Sequence, residues 1–159
     1  MNVVVGMFAR ALIAFLALPG MVAFAVPALI VNASGTRSEM AMATSLLFAL
    51  GSLALLACVR EFYIAGKGTL APWAPPVHLV TSGLYRVTRN PMYVAVLLIL
   101  LAWLMLSPTA GIAMYTLCVA VAFHLRVVLG EEPWLKRTFG NAWAAYSASV
   151  PRWLWPIRP

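Results

Sequence analysis

The chain has 159 residues, 64% of them hydrophobic and 9% charged, with a formal net charge of +7 and no aspartate. Soluble domains carry about 25% charged residues, and here the apolar residues fall in long blocks without a polar face, which excludes an ordinary soluble core and points to lipid-exposed helices. Nucleic acid is rejected as the partner of the positive charge, because the basic residues sit in loops beside apolar runs, where they act as topology signals and contacts for anionic lipid.

The first apolar run covers residues 3–31 and predicts a helix kinked at Pro19 and Pro27, since membrane helices accept proline where neighbours satisfy the freed carbonyls. Arg10, the apolar residues after it and Ala23-Phe24-Ala25 imitate a cleavable signal. The apolar character begins before the arginine and continues beyond the small residues, so the run is read as a retained span. A polar turn, residues 32–39, leads to a second span over residues 40–63, closed at the interface by Arg60 and Glu61.

Residues 65–91 form the longest polar stretch; its glycines and prolines predict a loop. It carries Lys67, His78, Arg86 and Arg89. The third run, residues 92–106, barely crosses a hydrocarbon core of about 30 Å at about 1.5 Å per residue. Ser107-Pro108-Thr109 predicts a tight turn into a fourth run, residues 110–129, so the last two runs read as a helical hairpin. The tail, residues 130–159, interleaves Glu131, Glu132, Lys136, Arg137, Arg152 and Arg158 with Trp134, Phe139, Trp143, Tyr146, Trp153 and Trp155, a mixture suited to the membrane interface.

The expected fold is all-α: one polytopic membrane domain over residues 1–159, with about four transmembrane helices, a helical hairpin and a C-terminal interfacial segment. The Lys/Arg bias places the long loop, the tail and both termini in the cytoplasm, and the short chain suits a bacterial inner membrane. Cys58 and Cys118 lie inside apolar runs and read as packing residues.

Chemistry has few carriers here. The acids are Glu39, Glu61, Glu131 and Glu132. The adjacent pair is expected at the end of the fourth helix, where carboxylates oppose the helix dipole and require cationic or hydrogen-bonding compensation. Arg126, Lys136 and Arg137 are the nearby bases; the alternative is a cationic or hydroxyl-rich ligand. In the loop, Gly83 permits close backbone approach, and Asn90-Pro91 suits a helix N-cap and first turn. Neither explains why His78, Tyr85, Arg89 and Tyr93 gather at one membrane face. No phosphate-binding glycine loop, serine-hydrolase elbow or Cys/His metal spacing occurs, and His124 reads as a packed or interfacial residue.

The run His78-Leu-Val-Thr-Ser-Gly-Leu-Tyr-x-x-x-Arg-Asn-Pro-x-Tyr93, then a hairpin, then Glu131-Glu132-x-x-Leu135-x-x-x-Phe139-Gly140 with Tyr146 and Val150-Pro151, resembles the isoprenylcysteine carboxyl methyltransferases and the related phospholipid methyltransferases. The resemblance covers about half the chain. It departs at Asn90, where these families usually carry histidine, so a titrating role there is lost and a hydrogen-bonding one survives.

The resemblance implies an integral membrane enzyme that uses S-adenosylmethionine without a Rossmann domain. Carried over by motif, the cofactor-binding residues are His78, Leu79, Val80, Gly83, Tyr85, Asn90, Pro91, Met92, Tyr93 and Glu131. Arg126, Glu132 and Arg89 are the candidate catalytic residues, with Arg152 a further candidate beside the substrate. Glu131 would accept from ribose hydroxyls or the ammonium. The acceptor would be a lipid or lipid-like amphiphile in the bilayer, either an isoprenylcysteine-like carboxylate or a phospholipid amine. The competing expectation is a non-enzymatic four-helix transporter or structural membrane protein. A transporter would carry an ionisable residue at mid-membrane, and the glutamate pair stands instead at an edge.

Overall fold

The computed structural model describes residues 16–38, 41–66 and 77–154. Arg10 and the start of the first run, Glu39, Lys67, most of the loop's prolines, Trp155 and Arg158 lie outside the described residues. Among the described residues the fold is all helical, with no strand.

Helix α1 runs as a wide π-helix over Leu16–Ala25 and continues as an α-helix over Val26–Ser34; α2 is Ala41–Ile64. A 3-10 turn, Gly83–Arg86, precedes α3, Pro91–Leu106, and α4, Ala110–Arg126. A π turn, Val127–Glu131, leads without a break into α5, Glu132–Ser149, which is kinked at Gly140 (φ 47°, ψ −117°). Two stretches are long and apolar enough to cross a membrane, Met42–Phe62 and the one that begins at Ala110; the apolar helices Pro19–Ser34 and Pro91–Leu106 are shorter.

Helix α3 is the hub, packed against α1, α2 and α4. Its 16 residues bury Ala95, Val96, Ile99, Leu100 and Ala102, so it is apolar on every side. Gly51 lets α2 approach closely: a Cβ there would stand 2.7 Å from Ile99 Cγ1 and 3.1 Å from the Ala95 carbonyl oxygen. Small residues at helix contacts serve this purpose in membranes, where apolar side chains gain little by leaving lipid. Phe48 meets Trp103 edge to face, 5.0 Å between centroids.

The π-helical part of α1 is tied to the bundle by side-chain donors. Trp103 Nε1 donates to the Ala23 carbonyl at 2.9 Å, and the Tyr115 hydroxyl to the Val22 carbonyl at 3.0 Å. Wide turns tilt carbonyls outward, and in a dry interior such groups need partners. The kink expected at Pro19 is thus realised as a stretch of π-helix. The first helix also outlasts its predicted end at Val31, running to Ser34 before Gly35 closes it.

The turn after α1 and the α3–α4 turn share one end of the bundle: Ser38 N–H donates to the Leu106 carbonyl at 2.7 Å, and the Ser34 and Ser107 hydroxyls lie 3.2 Å apart. The loop before α3 and the chain after α4 therefore share the other end. Cys58 is buried and Cys118 exposed, both as free thiols; Cys118 thus faces outward instead of packing as expected.

Candidate functional site

At the loop end of the bundle lies a cavity of about 890 Å³, within the size range of small-molecule and cofactor sites. Every helix contributes to its lining. Pro19 and Val22 come from α1, Phe62 from α2, Tyr93 and Val96 from α3, Phe123 and Arg126 from α4, and Trp134 and Trp143 from α5. One part is wholly apolar, between α1, α3 and α4. The other gathers His78, Arg89, Asn90, Arg126 and Glu131.

Of the cofactor-binding residues predicted above, His78, Leu79, Val80, Tyr85, Asn90, Met92, Tyr93 and Glu131 line this cavity. Gly83 and Pro91 do not. Gly83, at φ 56°, sits on the Glu61 side chain; Pro91 is buried in the first turn of α3. Among the candidate catalytic residues, Arg89 and Arg126 line the cavity and Glu132 does not.

The two adjacent glutamates have different partners. Glu131 faces the cavity. Its Oε1 accepts the Tyr93 hydroxyl and lies 2.8 Å from Arg126 Nε, which is also 3.1 Å from the Tyr93 oxygen. The Arg126 and Glu131 side chains remain 58% and 34% exposed, and ion pairs that open contribute only about 0–1 kcal/mol to stability. This triad therefore adds little to holding the fold together.

Glu132 does the reverse. It is 16% exposed and clamps two arginines, Arg89 Nη1 at 2.8 Å and Arg152 through Nε at 2.8 Å and Nη2 at 2.6 Å. The two-point contact pushes the Arg152 guanidinium further into its charged form. Around this knot, Arg89 N–H donates to the Pro151 carbonyl at 2.9 Å, and the Thr88 hydroxyl to the Arg152 carbonyl at 3.1 Å. Residues 88–90, the start of α5 and residues 150–153 are thus fastened together beside the cavity. Arg89 also lies 5.7 Å over the Trp143 ring, a cation–π contact.

Two expectations need correction here. The glutamate pair does not end a helix, because the π turn carries α4 straight into α5; the opposition to a helix terminus does not arise, and the partners are arginines from three segments. Asn90 occupies the N-cap position of α3 but makes no side-chain cap. Its Nδ2 donates instead to the Arg152 carbonyl at 2.9 Å, so the amide joins the fastening of residues 150–153.

Tyr85 anchors the loop. Its ring is buried against Phe62, Cys58 and Val80, and its carbonyl accepts the Tyr146 hydroxyl at 2.7 Å. Burial raises the Tyr85 phenol well above the ordinary tyrosine value and keeps it neutral. His124 is exposed, stacked 6.2 Å from Trp153, whose Nε1 donates to its Nδ1 at 3.3 Å.

The resemblance implies a cofactor pocket shared by the loop, the hairpin and the C-terminal segment, but beyond Glu131 and Glu132 sequence reasoning names no lining residue of α5. Trp134, Leu135, Phe139, Trp143 and Tyr146 line the cavity, whereas basic and aromatic interleaving had indicated an interfacial anchor. The recurrence of Leu135, Phe139, Trp143 and Tyr146 at spacings of four, four and three was the available signal, since it places them on one face of a helix bent at Gly140. Among the described residues no three of His, Cys, Asp and Glu gather as a metal site.

Comparison with family models finds one match, described as phospholipid methyltransferase, over residues 39–142, more than half of the chain. The matched segment runs from the start of α2 through the loop and hairpin into α5, and so includes His78, Arg89, Asn90, Arg126 and Glu131 of the cavity. No curated protein and no solved structure matches the chain.

Proposed function

This chain belongs to the phospholipid methyltransferase family, and from that premise we propose that it is a four-span membrane enzyme that moves a methyl group from S-adenosylmethionine to an amphiphile held in the bilayer. The observation that carries the proposal is the Tyr93–Arg126–Glu131 triad, which brings α3, α4 and the π turn to one point of the cavity wall.

The residues present fit the cofactor. Its diol and ammonium call for a fixed carboxylate acceptor, supplied by Glu131. Its carboxylate calls for donors, available from His78 and Arg89 at the polar end. Its adenine and sulfonium call for aromatic faces, available from Trp134, Phe139, Trp143 and Tyr146. When bound, S-adenosylmethionine supplies an electrophilic methyl group on a sulfonium centre.

The remaining work falls to the protein. The apolar part of the cavity, walled by Pro19, Val22, Val96 and Phe123, accepts the acceptor's tail. Arg126, held by Tyr93 and Glu131, faces its head, as a partner for a carboxylate or phosphate. Glu131 can take the proton that an amine acceptor must lose. Holding both reactants in line supplies about 7–11 kcal/mol of such a barrier. Glu132 acts behind the wall by holding Arg89 in place. A cytoplasmic site is the reading that the positive-inside rule supports, since Arg60, Arg86, Arg89, Arg126 and Arg152 belong to the loop and chain segments at the cavity end of the bundle.

The test is calorimetric titration of the detergent-purified chain with S-adenosylmethionine, with Glu131→Ala and Tyr85→Phe alongside. Saturable micromolar binding that Glu131→Ala abolishes is expected. Folded wild-type protein that binds none, with or without added lipid, overturns the proposal.

A further inference from the structure

Glu61 has no role in the site as described. It stands in the last turn of α2, where a negative charge opposes the helix dipole, and it does not line the cavity. Its side chain is nonetheless drawn inward, 17% exposed beside an Arg60 that is 70% exposed. Oε2 accepts the Ser82 hydroxyl, and Oε1 lies 3.2 Å from Arg60 Nη1. Gly83 rests on the same side chain: a Cβ there would stand 3.0 Å from Glu61 Cγ and 3.1 Å from Cδ. A larger residue at 83 could not follow Ser82 onto the carboxylate without displacing it.

The end of α2 makes a second attachment. Gly66 N–H reaches the Glu61 carbonyl at 3.3 Å, and the Gly66 carbonyl accepts from the N–H groups of Val77 and His78 at 2.9 and 3.4 Å. The wall residues His78, Leu79 and Val80 therefore hang between two attachments at the end of α2, to Gly66 in the turn just past it before them and to Glu61 in its last turn after them.

We propose that Glu61 is a positioning residue for the cofactor-binding wall, holding Ser82-Gly83 so that His78, Leu79, Val80 and Tyr85 present one fixed surface to the cavity. The proposal rests on reading the cavity as the cofactor site. A hydrogen bond to a carboxylate is roughly twice as strong as a neutral one, which suits the tether that fixes Ser82-Gly83 between the Gly66 attachment and the buried Tyr85.

The full-length chain in detergent, as wild type, Glu61→Ala, Glu61→Gln, Ser82→Ala and the Glu61→Ala/Ser82→Ala double variant, tests it in two arms. In hydrogen exchange without cofactor, Glu61→Ala and Ser82→Ala are expected to speed exchange across residues 78–86 while α3 and α4 keep their protection. In calorimetry, both weaken S-adenosylmethionine binding roughly tenfold, the double variant is no worse than either single one, and Glu61→Gln, which keeps an acceptor oxygen, recovers most of the affinity. Unchanged loop exchange in Glu61→Ala overturns the inference, as does a loss of protection spread evenly over the helices. If wild-type protein binds no cofactor, the functional reading fails, and the exchange arm alone decides the role of Glu61.

Discussion

The hydroxyl of Tyr93 on α3 donates to the carboxylate of Glu131, 38 residues later in the chain, and Arg126 Nε lies within hydrogen-bond distance of both oxygens. Three segments converge on one carboxylate oxygen facing a cavity. Tyr93→Phe removes one donor and leaves the arginine, so the Glu131 carboxylate is less firmly aimed. The expected outcome is S-adenosylmethionine binding weakened about 10-fold or more, in keeping with a hydrogen bond to a charged group. Stability should change little, because phenylalanine keeps the buried ring and Arg126 still pairs with the partly exposed Glu131. Calorimetry and thermal unfolding on the same preparation separate the two effects.

Glu132→Ala should do the opposite. It leaves Arg89, 15% exposed, and Arg152 facing each other without their shared carboxylate. Breaking a fully buried pair costs about 3–5 kcal/mol; this one is partly buried, with Arg152 37% exposed, so a smaller but distinct fall in Tm is expected, with detachment of residues 150–153 read as faster hydrogen exchange there. A Tm within a degree or two of wild type would refute the assignment of Glu132 to the framework.

At Asn90 the substitutions separate by chemistry. Asn90→His retains an N–H that can replace the amide donor to the Arg152 carbonyl and is expected to keep cofactor binding. Asn90→Asp turns a donor into an acceptor facing a carbonyl oxygen and should weaken both binding and stability. Equal behaviour of the two variants would mean that this hydrogen bond contributes nothing.

Gly51→Ala tests the packing of α2 on the hub helix. Alanine gains up to about 1 kcal/mol in helix propensity, but its Cβ would meet Ile99 Cγ1 at 2.7 Å and the Ile99 backbone nitrogen at 3.1 Å. Overpacking of this kind costs about 1–3 kcal/mol, so a lower Tm is expected despite the better helix former.

Tyr85 predicts an alkaline limit. Burial raises its folded-state pKa well above the ordinary value of about 10. Its contribution is therefore fully present below that pH and is lost as pH rises above it, where the unfolded chain ionises and the folded one resists. Thermal unfolding across pH 8–11, about the range that brackets the unfolded value, should show a decline at the top that is shallower in Tyr85→Phe.

Much of this architecture is legible in the sequence, and the omissions have physical causes. The second and third helices begin and end, and the fourth begins, within a few residues of the apolar runs, because Pro91 and Ser107-Pro108 punctuate the chain locally. The π-helical stretch around Pro19 is not readable, since its wide turns are bound to donors from Trp103 and Tyr115, 80 and 93 residues distant. His78, Tyr85, Tyr93 and Glu131 stand out as polar groups at one end of an apolar bundle. The Trp134–Tyr146 wall does not, because aromatic residues among bases look alike whether they face lipid headgroups or a pocket. Glu61 was read as the close of a span, and its partner Ser82 lies 21 residues away across a loop.

The fastening of residues 88–90 and Glu132 by Pro151 and Arg152 also orders events in time. Arg152 follows Arg89 by 63 positions and is added after all of α3, α4 and α5 have been made. The helices can enter the bilayer while the cavity still lacks its last support, so insertion and completion of the site are separate steps. A chain stopped after Ser149 is expected to insert fully yet exchange rapidly at residues 88–90, whereas one stopped after Leu154 closes the knot.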